Sequence, residues 1–471
     1  MEIMMIAAAG HAAPEVASWI TYMFTGLLGA MVLCLALEEK IHAKKSVIVG
    51  VTAVVALLLG AFTGILPFGV VHLPNGHEMK LPVFIPGIEW GVITIILGSS
   101  LFVDVTSKSG LFTFIAIKLT KASRGDPRRL LWFYGVMTVV FSAVLNNVTA
   151  MIIVGSLSAV SLGKLGQREK LLGFLLVEGL LTNIGGLLTL ISSVPNIIVG
   201  TTAGIGFVTF FVKAAPYVVV ATAGTIVMGA KVFGIESLKT EEDRALALSQ
   251  VSSFDEMDGI ESMGFFWFGA AMLLLFICFI ATASFDGWPI GKLGMGFVAM
   301  MFAVIMLCKF KSSVGKFYSG IDWDLLFFFV YLFIAIYAME QAKVLDLIGK
   351  GIAPIIGMGA KVGGGLLLIS SAVASSVTDN IPLAAVLSNI LKSMGIEGDS
   401  GMWWSVIFGA NLGGNLTPIG SASTLVAVTI MHKHDLRISF MGFVKKALPF
   451  ALLHIALATL YVLFVLKHLP G

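Results

Sequence analysis

The chain has 471 residues, 58% of them hydrophobic and 12% charged, with a mean hydropathy of +0.98. A soluble domain runs nearer ~45–50% apolar and ~25% charged, so this chain would expose more apolar surface than water tolerates, and its solvent is a bilayer. Thirty Lys and Arg against 27 Asp and Glu give a net charge of +3, too balanced to suggest a nucleic-acid partner.

The first 14 residues are apolar but lack a basic n-region, so they do not read as a signal peptide. Crossing ~30 Å of hydrocarbon takes about 20 apolar residues. Ten stretches qualify: 18–37, 47–66, 88–106, 171–200, 214–235, 264–284, 291–309, 322–341, 402–430 and 447–467. Two more, 130–162 and 363–391, are too long for one helix and carry polar residues and a break at their centres. Cys34, Cys278 and Cys308 lie in apolar stretches without CxxC spacing, which predicts core packing. Segment 236–262 holds eight acids against Lys239 and Arg244 and reads as a cytoplasmic linker with a solvated charged face.

Basic residues cluster after the first, third, seventh and ninth spans and after 130–162. Placing them in the cytoplasm of a plasma (inner) membrane puts both termini outside. Stretch 130–162 then becomes a re-entrant hairpin entering from the cytoplasm, with its tip at Asn146 and Asn147. Stretch 363–391 becomes one entering from outside, with its tip at Asp379 and Asn380. Lys343, Lys350 and Lys361 run against this scheme.

The chain also repeats itself. Trp90 and Asn146 have counterparts 233 residues later in Trp323 and Asp379, and Phe211-Val212-Lys213 has one 232 residues later in Phe443-Val444-Lys445. Asn183-Ile184-Gly185-Gly186 matches Asn411-Leu412-Gly413-Gly414. Each half, 1–235 and 263–471, holds five spans and one hairpin, and an odd number of crossings turns the second half upside down. The predicted fold is therefore all-α and membrane-integral, with two inverted repeats and broken helices at the midplane.

Irregular backbone at membrane depth is tolerated only inside protein or beside a water-filled cavity. The two tips supply Asn146, Asn147, Thr149, Asp379 and Asn380. The first broken span supplies Asn183, Gly185, Gly186, Thr189, Ser192, Ser193 and Asn196; the second supplies Asn411, Gly413, Gly414, Asn415, Thr417 and Ser421. Pro and Gly in these spans predict unwinding, which frees carbonyls for a cation and helix N-termini for an anion. A buried carboxylate in a membrane is costly and usually functional, so Asp379 is the expected coupling group, with a Na⁺ site at Asp379 and Asn380. Glu178 reads equally as a protonation site or as the partner of a lysine near its helix end. Asp104 is expected to pair with Lys108, and His454 to be a packed interior group. No phosphate-binding loop, HExxH or nucleophilic triad occurs, so neither an enzyme nor a nucleotide-driven pump is expected. No cofactor is expected beyond a coupling Na⁺ or H⁺.

At these residues the chain resembles the ion transporter superfamily, in particular the branch of arsenite permeases, NhaD-type sodium–proton antiporters and melanosomal P proteins, and also citrate and dicarboxylate permeases. The resemblance rests on Leu145-Asn146-Asn147-Val148-Thr149, Asn183-Ile184-Gly185-Gly186, Pro195-Asn196, Thr378-Asp379-Asn380-Ile381-Pro382 and Gly413-Gly414-Asn415-Leu416-Thr417-Pro418-Ile419-Gly420. Glu178 matches a family glutamate. Two acids of the pattern are absent: Asn146 and Ser192-Ser193 stand in their places. The resemblance implies an elevator-type homodimer carrying a small ion or solute. Of three functions open on the residues, cation/proton antiport of the Na⁺/H⁺ type is the expected one; the alternatives are coupled uptake or export of an anion or neutral oxyacid such as citrate, a dicarboxylate or arsenite, and a channel or scaffold.

Overall fold

The computed structural model describes residues 16–66, 70–72, 78–82, 84–283, 288–378 and 380–469. The leading segment read above as lacking a signal peptide, and Asp379, lie outside them. The helices of the first part are α1 (Ser18–Ala36), α2 (Glu38–Ile41), α3 (Lys45–Thr63), α4 (Trp90–Ser107), α5 (Leu111–Ala122), α6 (Pro127–Val144), α7 (Asn147–Lys164), α8 (Leu171–Gly186), α9 (Val194–Ala203), α10 (Phe207–Val232) and α11 (Glu241–Ser252). Then come α12 (Met263–Thr282), α13 (Gly294–Leu307), α14 (Val314–Gly320), α15 (Trp323–Gln341), α16 (Val344–Gly357), α17 (Gly359–Val377), α18 (Asn380–Ser393), α19 (Gly401–Gly413), α20 (Ala422–Lys433) and α21 (Phe440–Leu460). One short antiparallel pair, β1 (Val70–His72) and β2 (Glu78–Lys80), interrupts them. Among the described residues, nine helical segments are long and apolar enough to cross a membrane. The fold is all-α and membrane-integral.

The chain divides into two compact units, each drawing on both halves of the sequence. The first comprises 1–93, 322–354 and 389–395. In it α3 packs on α15 through Gly50, where an added Cβ would stand 3.0 Å from the Tyr331 ring, and Ser46 donates to Asp324 at 2.5 Å. The second comprises 94–321, 355–388 and 396–471 and contains every described residue of the four irregular segments. In it Phe102 of α4 stacks on Phe276 of α12 with centroids 4.5 Å apart.

Helices α6 and α7 form an antiparallel hairpin. Leu145 and Asn146 are extended, Asn146 accepts the Thr149 backbone N–H at 2.8 Å as N-cap, and Tyr134 pairs with Ser161 at 2.8 Å on the two arms. Stretch 363–391 is likewise divided, with α17 ending at Val377 and α18 starting at Asn380. The expected spans 171–200 and 402–430 are each two helices, α8–α9 and α19–α20, separated by irregular backbone.

Equivalent contacts recur in the two halves. Ser142 Oγ lies 2.6 Å from Thr182 O, and Ser375 Oγ 2.6 Å from Ala410 O. Thr189 donates to Ala143 O at 2.5 Å and Thr417 to Ser376 O at 2.6 Å, pinning each helix break to the end of its neighbouring hairpin arm. A Cβ on Gly185 would stand 2.6 Å from Val139 O, and one on Gly413 2.3 Å from Ala372 O. These glycines permit close approach of α8 to α6 and of α19 to α17.

Two expectations are corrected, and a third is extended. The three cysteines are exposed rather than packed in a core; in a bilayer an apolar run is compatible with the outside as well as the inside. The linker's charge run is solvated, with Glu241, Glu242, Asp243 and Arg244 exposed, but its apolar residues are buried. Its helix α11 buries Ala247 and Val251, Phe254 is buried beyond it, Leu238 donates its N–H to Asp126 at 3.0 Å, and Glu256 pairs with Lys121 at 2.7 Å and Lys118 at 3.1 Å. Glu178 pairs with Ser158, not with a lysine.

Candidate functional site

Two helix breaks and one hairpin tip build a buried polar lattice in the second unit. Unwinding at 187–193 and 414–421 leaves backbone carbonyls that hydrocarbon cannot satisfy. Side chains satisfy them instead. Asn196 donates to Gly186 O at 2.6 Å and Thr189 O at 3.0 Å, and Ser192 reaches the same two oxygens at 2.7 and 2.9 Å. In the second break Thr424, equivalent to Asn196, lies 3.2 Å from Pro418 O and 2.8 Å from Ser421 O. The carbonyls of Gly186 and Thr189 are thus engaged by protein, where the sequence reading had them open to a cation.

Asn183 is the centre of the lattice. Its Nδ2 donates to Asn415 Oδ1 at 2.8 Å and to Ser421 Oγ at 2.9 Å. Its Oδ1 accepts from Ser423 at 3.1 Å and from Asn147 Nδ2 at 3.3 Å. Asn147 Oδ1 accepts from Ser142 at 2.8 Å, and Gly186 lets Asn147 approach: a Cβ there would stand 2.6 Å from that oxygen. A second cluster centres on Asn411, which accepts from Ser193 at 2.6 Å and donates to Asn196 Oδ1 at 2.9 Å.

The two clusters are reciprocal. Ser193 bonds Asn411, and their counterparts Ser421 and Asn183 bond each other. A contact i–j repeated as j–i is the mark of a two-fold relation, here between the two breaks.

Not every candidate joins this lattice. Asn146 caps its own helix beside Thr149; Thr189 and Thr417 tie the breaks to the hairpins; Gly185, Gly413 and Gly414 serve close packing. Asn380 is the first residue of α18 and half-buried. Asp104 lies within electrostatic reach of Lys108. Glu178 is fully buried one and a half turns before Asn183 on α8; Ser158 donates to its Oε1, and Oε2 has no hydrogen-bond partner among the described residues.

Sequence reasoning missed several members. His454 is buried, as expected, but it is a lattice member, 3.2 Å from Asn415 Nδ2 and 2.7 Å from Thr225 Oγ1. Ser142 carried a usable signal, because Ser375 stands 233 residues later in the equivalent hairpin arm. Ser423 carried one too, as the end of the second irregular segment beside Ser421 and Thr424, but Thr225 and Ser158 carried none: a lone hydroxyl in an apolar helix is ordinary helix-packing chemistry.

An all-helical membrane chain with a polar lattice built at two broken helices is the construction of a membrane transporter. The citrate transporter family profile matches residues 32–407, and the chain belongs to that family. It is 30% identical over 391 residues to an uncharacterized transporter of Mycobacterium tuberculosis, covering 81% of this chain and 88% of the relative. It is 22% identical over 526 residues to the P protein of Mus musculus, covering 93% of this chain and 62% of that one. Two solved structures share the fold. The YdaH transporter of Alcanivorax borkumensis aligns with a TM-score of 0.54 at 10% identity, over 94% of this chain and 97% of its own. MtrF of Neisseria gonorrhoeae, described with a class of antimetabolite efflux pumps, aligns at 0.56 and 13% identity, over 91% and 97%.

Proposed function

We propose that the chain is a secondary active transporter of a small carboxylate-bearing anion of the citrate class, coupled to H⁺ or Na⁺. The observation that carries this reading is the meeting of three helix N-termini on one lattice of amides and hydroxyls. Helices α7, α9 and α20 begin at Asn147, Val194 and Ala422, and Asn147, Ser193 and Ser421 at those ends all bond lattice asparagines. Helix N-termini carry N–H groups and the positive end of the helix dipole, which suit an anion. The engaged carbonyls of the first break weigh the same way.

The irregular segments contain no Lys or Arg, so a multivalent anion needs its charge balanced by a cation moving with it. Glu178, with one carboxylate oxygen unpartnered among the described residues, is assigned the coupling proton. Asp379 is assigned a second cation or proton on the grounds of its sequence position. A second reading, cation/proton antiport, rests on the buried acid Glu178 and on Asp379 by its sequence position: an acid exchanging H⁺ for Na⁺ requires no anion. The described lattice residues all belong to one compact unit, which suits an elevator-like carrier moving its site as a body.

The test is purified protein in liposomes, offered citrate, a dicarboxylate, arsenite, Na⁺ and Li⁺ under an imposed pH gradient. Saturable citrate or dicarboxylate uptake that follows the gradient is expected. Na⁺/H⁺ exchange indifferent to every anion would replace this reading with the second.

A further inference from the structure

We propose that His454, on α21, is a positioning residue that sets which way the lattice amides point, and so which group Asn147 offers to a bound carboxylate. The inference rests on the anion reading above. His454 is fully buried, with Nε2 2.7 Å from Thr225 Oγ1 on α10. Thr225 has one hydroxyl proton, and it is donated to Ala221 O at 2.6 Å. Toward His454 the hydroxyl therefore only accepts, and Nε2 carries the ring proton.

In the neutral ring Nδ1 is then an acceptor, and it faces Asn415 Nδ2 at 3.2 Å. The same amide nitrogen faces Leu180 O at 3.3 Å, a group that can only accept. Asn415 Oδ1 is thereby turned to receive Asn183 Nδ2, which leaves Asn183 Oδ1 to receive Asn147 Nδ2. Orientation passes from Thr225 through His454, Asn415 and Asn183 to Asn147, which is half-buried at the tip of the α6–α7 hairpin. In this polarity the edge of Asn147 beside Asn183 is a donor. The reversed chain would put a carbonyl oxygen there, repelling a carboxylate. Reversal needs a proton on Nδ1 and sets Asn415 Oδ1 against Leu180 O, so a neutral ring anchored by Thr225 opposes it.

Two measurements test this. Solid-state ¹⁵N NMR of histidine-labelled protein in liposomes at neutral pH reads the ring directly, with His454→Gln assigning its signal among the eight histidines. A neutral ring protonated at Nε2 is expected; a neutral Nδ1–H ring or an imidazolium overturns the proposal. This readout needs no substrate, so it stands apart from the anion reading, which wild-type citrate uptake reports by itself. In uptake, His454→Phe should raise the citrate KM about tenfold while leaving kcat within about threefold. His454→Asn supplies a side-chain oxygen in place of Nδ1 and should bring KM back to within about threefold of wild type. In an Asn415→Leu background, His454→Phe should add less than about twofold; an equal loss in both backgrounds overturns the proposal. Thr225→Val leaves the ring in place and removes its acceptor, so the NMR signal should gain an Nδ1–H component; an unchanged signal overturns it.

Discussion

Asn183 donates its side-chain amide to the side-chain oxygen of Asn415 at 2.8 Å, joining residues 232 positions apart. Each asparagine lies at a helix break, and each is buried where an unpaired amide would cost about 1–3 kcal/mol. The bond therefore makes the two breaks one structure. A change in either half of the chain is felt in the other.

Asn183→Asp is the sharpest test of the charge the site prefers. It keeps the shape but replaces two N–H donors with an acceptor facing Asn415 and Ser421. Citrate uptake in liposomes should fall by about 100-fold, equivalent to about 2.7 kcal/mol. A folded Asn183→Asp protein with wild-type citrate uptake would sink the anion reading. Asn183→Leu strands four neighbouring polar groups and should lower stability by about 2–4 kcal/mol.

The close helix approaches at Gly185 and Gly413 predict matched penalties. A Cβ would stand 2.6 Å from Val139 O in one and 2.3 Å from Ala372 O in the other. Backbone cannot yield as a side-chain tip can, so Gly185→Ala and Gly413→Ala should each cost about 1–3 kcal/mol. Thermal unfolding of the detergent-purified variants measures this, and a wild-type Tm for either would show that the approach is not tight.

Coupling is assigned to Glu178. Glu178→Gln keeps an oxygen to accept from Ser158 while removing the proton-binding carboxylate. The variant should reach the membrane and bind citrate, yet lose the dependence of uptake on the pH gradient. Wild-type coupling in Glu178→Gln would transfer the role to Asp379, where Asp379→Asn is the corresponding change.

The linker contributes a pH-dependent clamp. Lys121 first, and then Lys118, hold the Glu256 carboxyl well below its ordinary 4.5, at about 2. A depressed carboxylate pKa stabilises the fold above the unfolded value and loses that contribution as pH falls through the folded one. The stability should therefore be complete above about pH 5 and be lost between about pH 4.5 and pH 2. Glu256→Gln should lose it at neutral pH and flatten that acid limb in thermal melts taken across pH; an unaltered acid limb would discount the pair.

The inverted arrangement is testable by sidedness. Gly163 and Lys392, near the ends of α7 and α18, are both exposed. Cysteines introduced there should react with an impermeant maleimide from opposite sides of the membrane. Cys34, Cys278 and Cys308 are exposed and must be replaced first. Labelling of both positions from one side would falsify the inversion.

Much of the architecture was legible because bilayer constraints act locally. Apolar length marks spans, and Gly, Pro and Asn clusters mark where helices give way, so both helix breaks and both divided stretches could be read from residue types alone. The 233-residue offset between Trp90 and Trp323 similarly needed only two copies of one pattern. The polar candidates followed, since amides at membrane depth require partners.

What only the tertiary structure decided is which partner each polar group takes. Glu178 faces Ser158 rather than a lysine, Asn196 closes on its own break's carbonyls, and His454 meets both Thr225 and Asn415. Such pairings join residues up to 229 positions apart, and no local pattern encodes which distant helix turns a hydroxyl toward them. Burial was equally hidden. The cysteines lie outside because lipid leaves apolar side chains nearly indifferent to facing protein or membrane, whereas the linker's Ala247 and Val251 lie inside because helix α11 docks on the protein, Ala247 against Gly125.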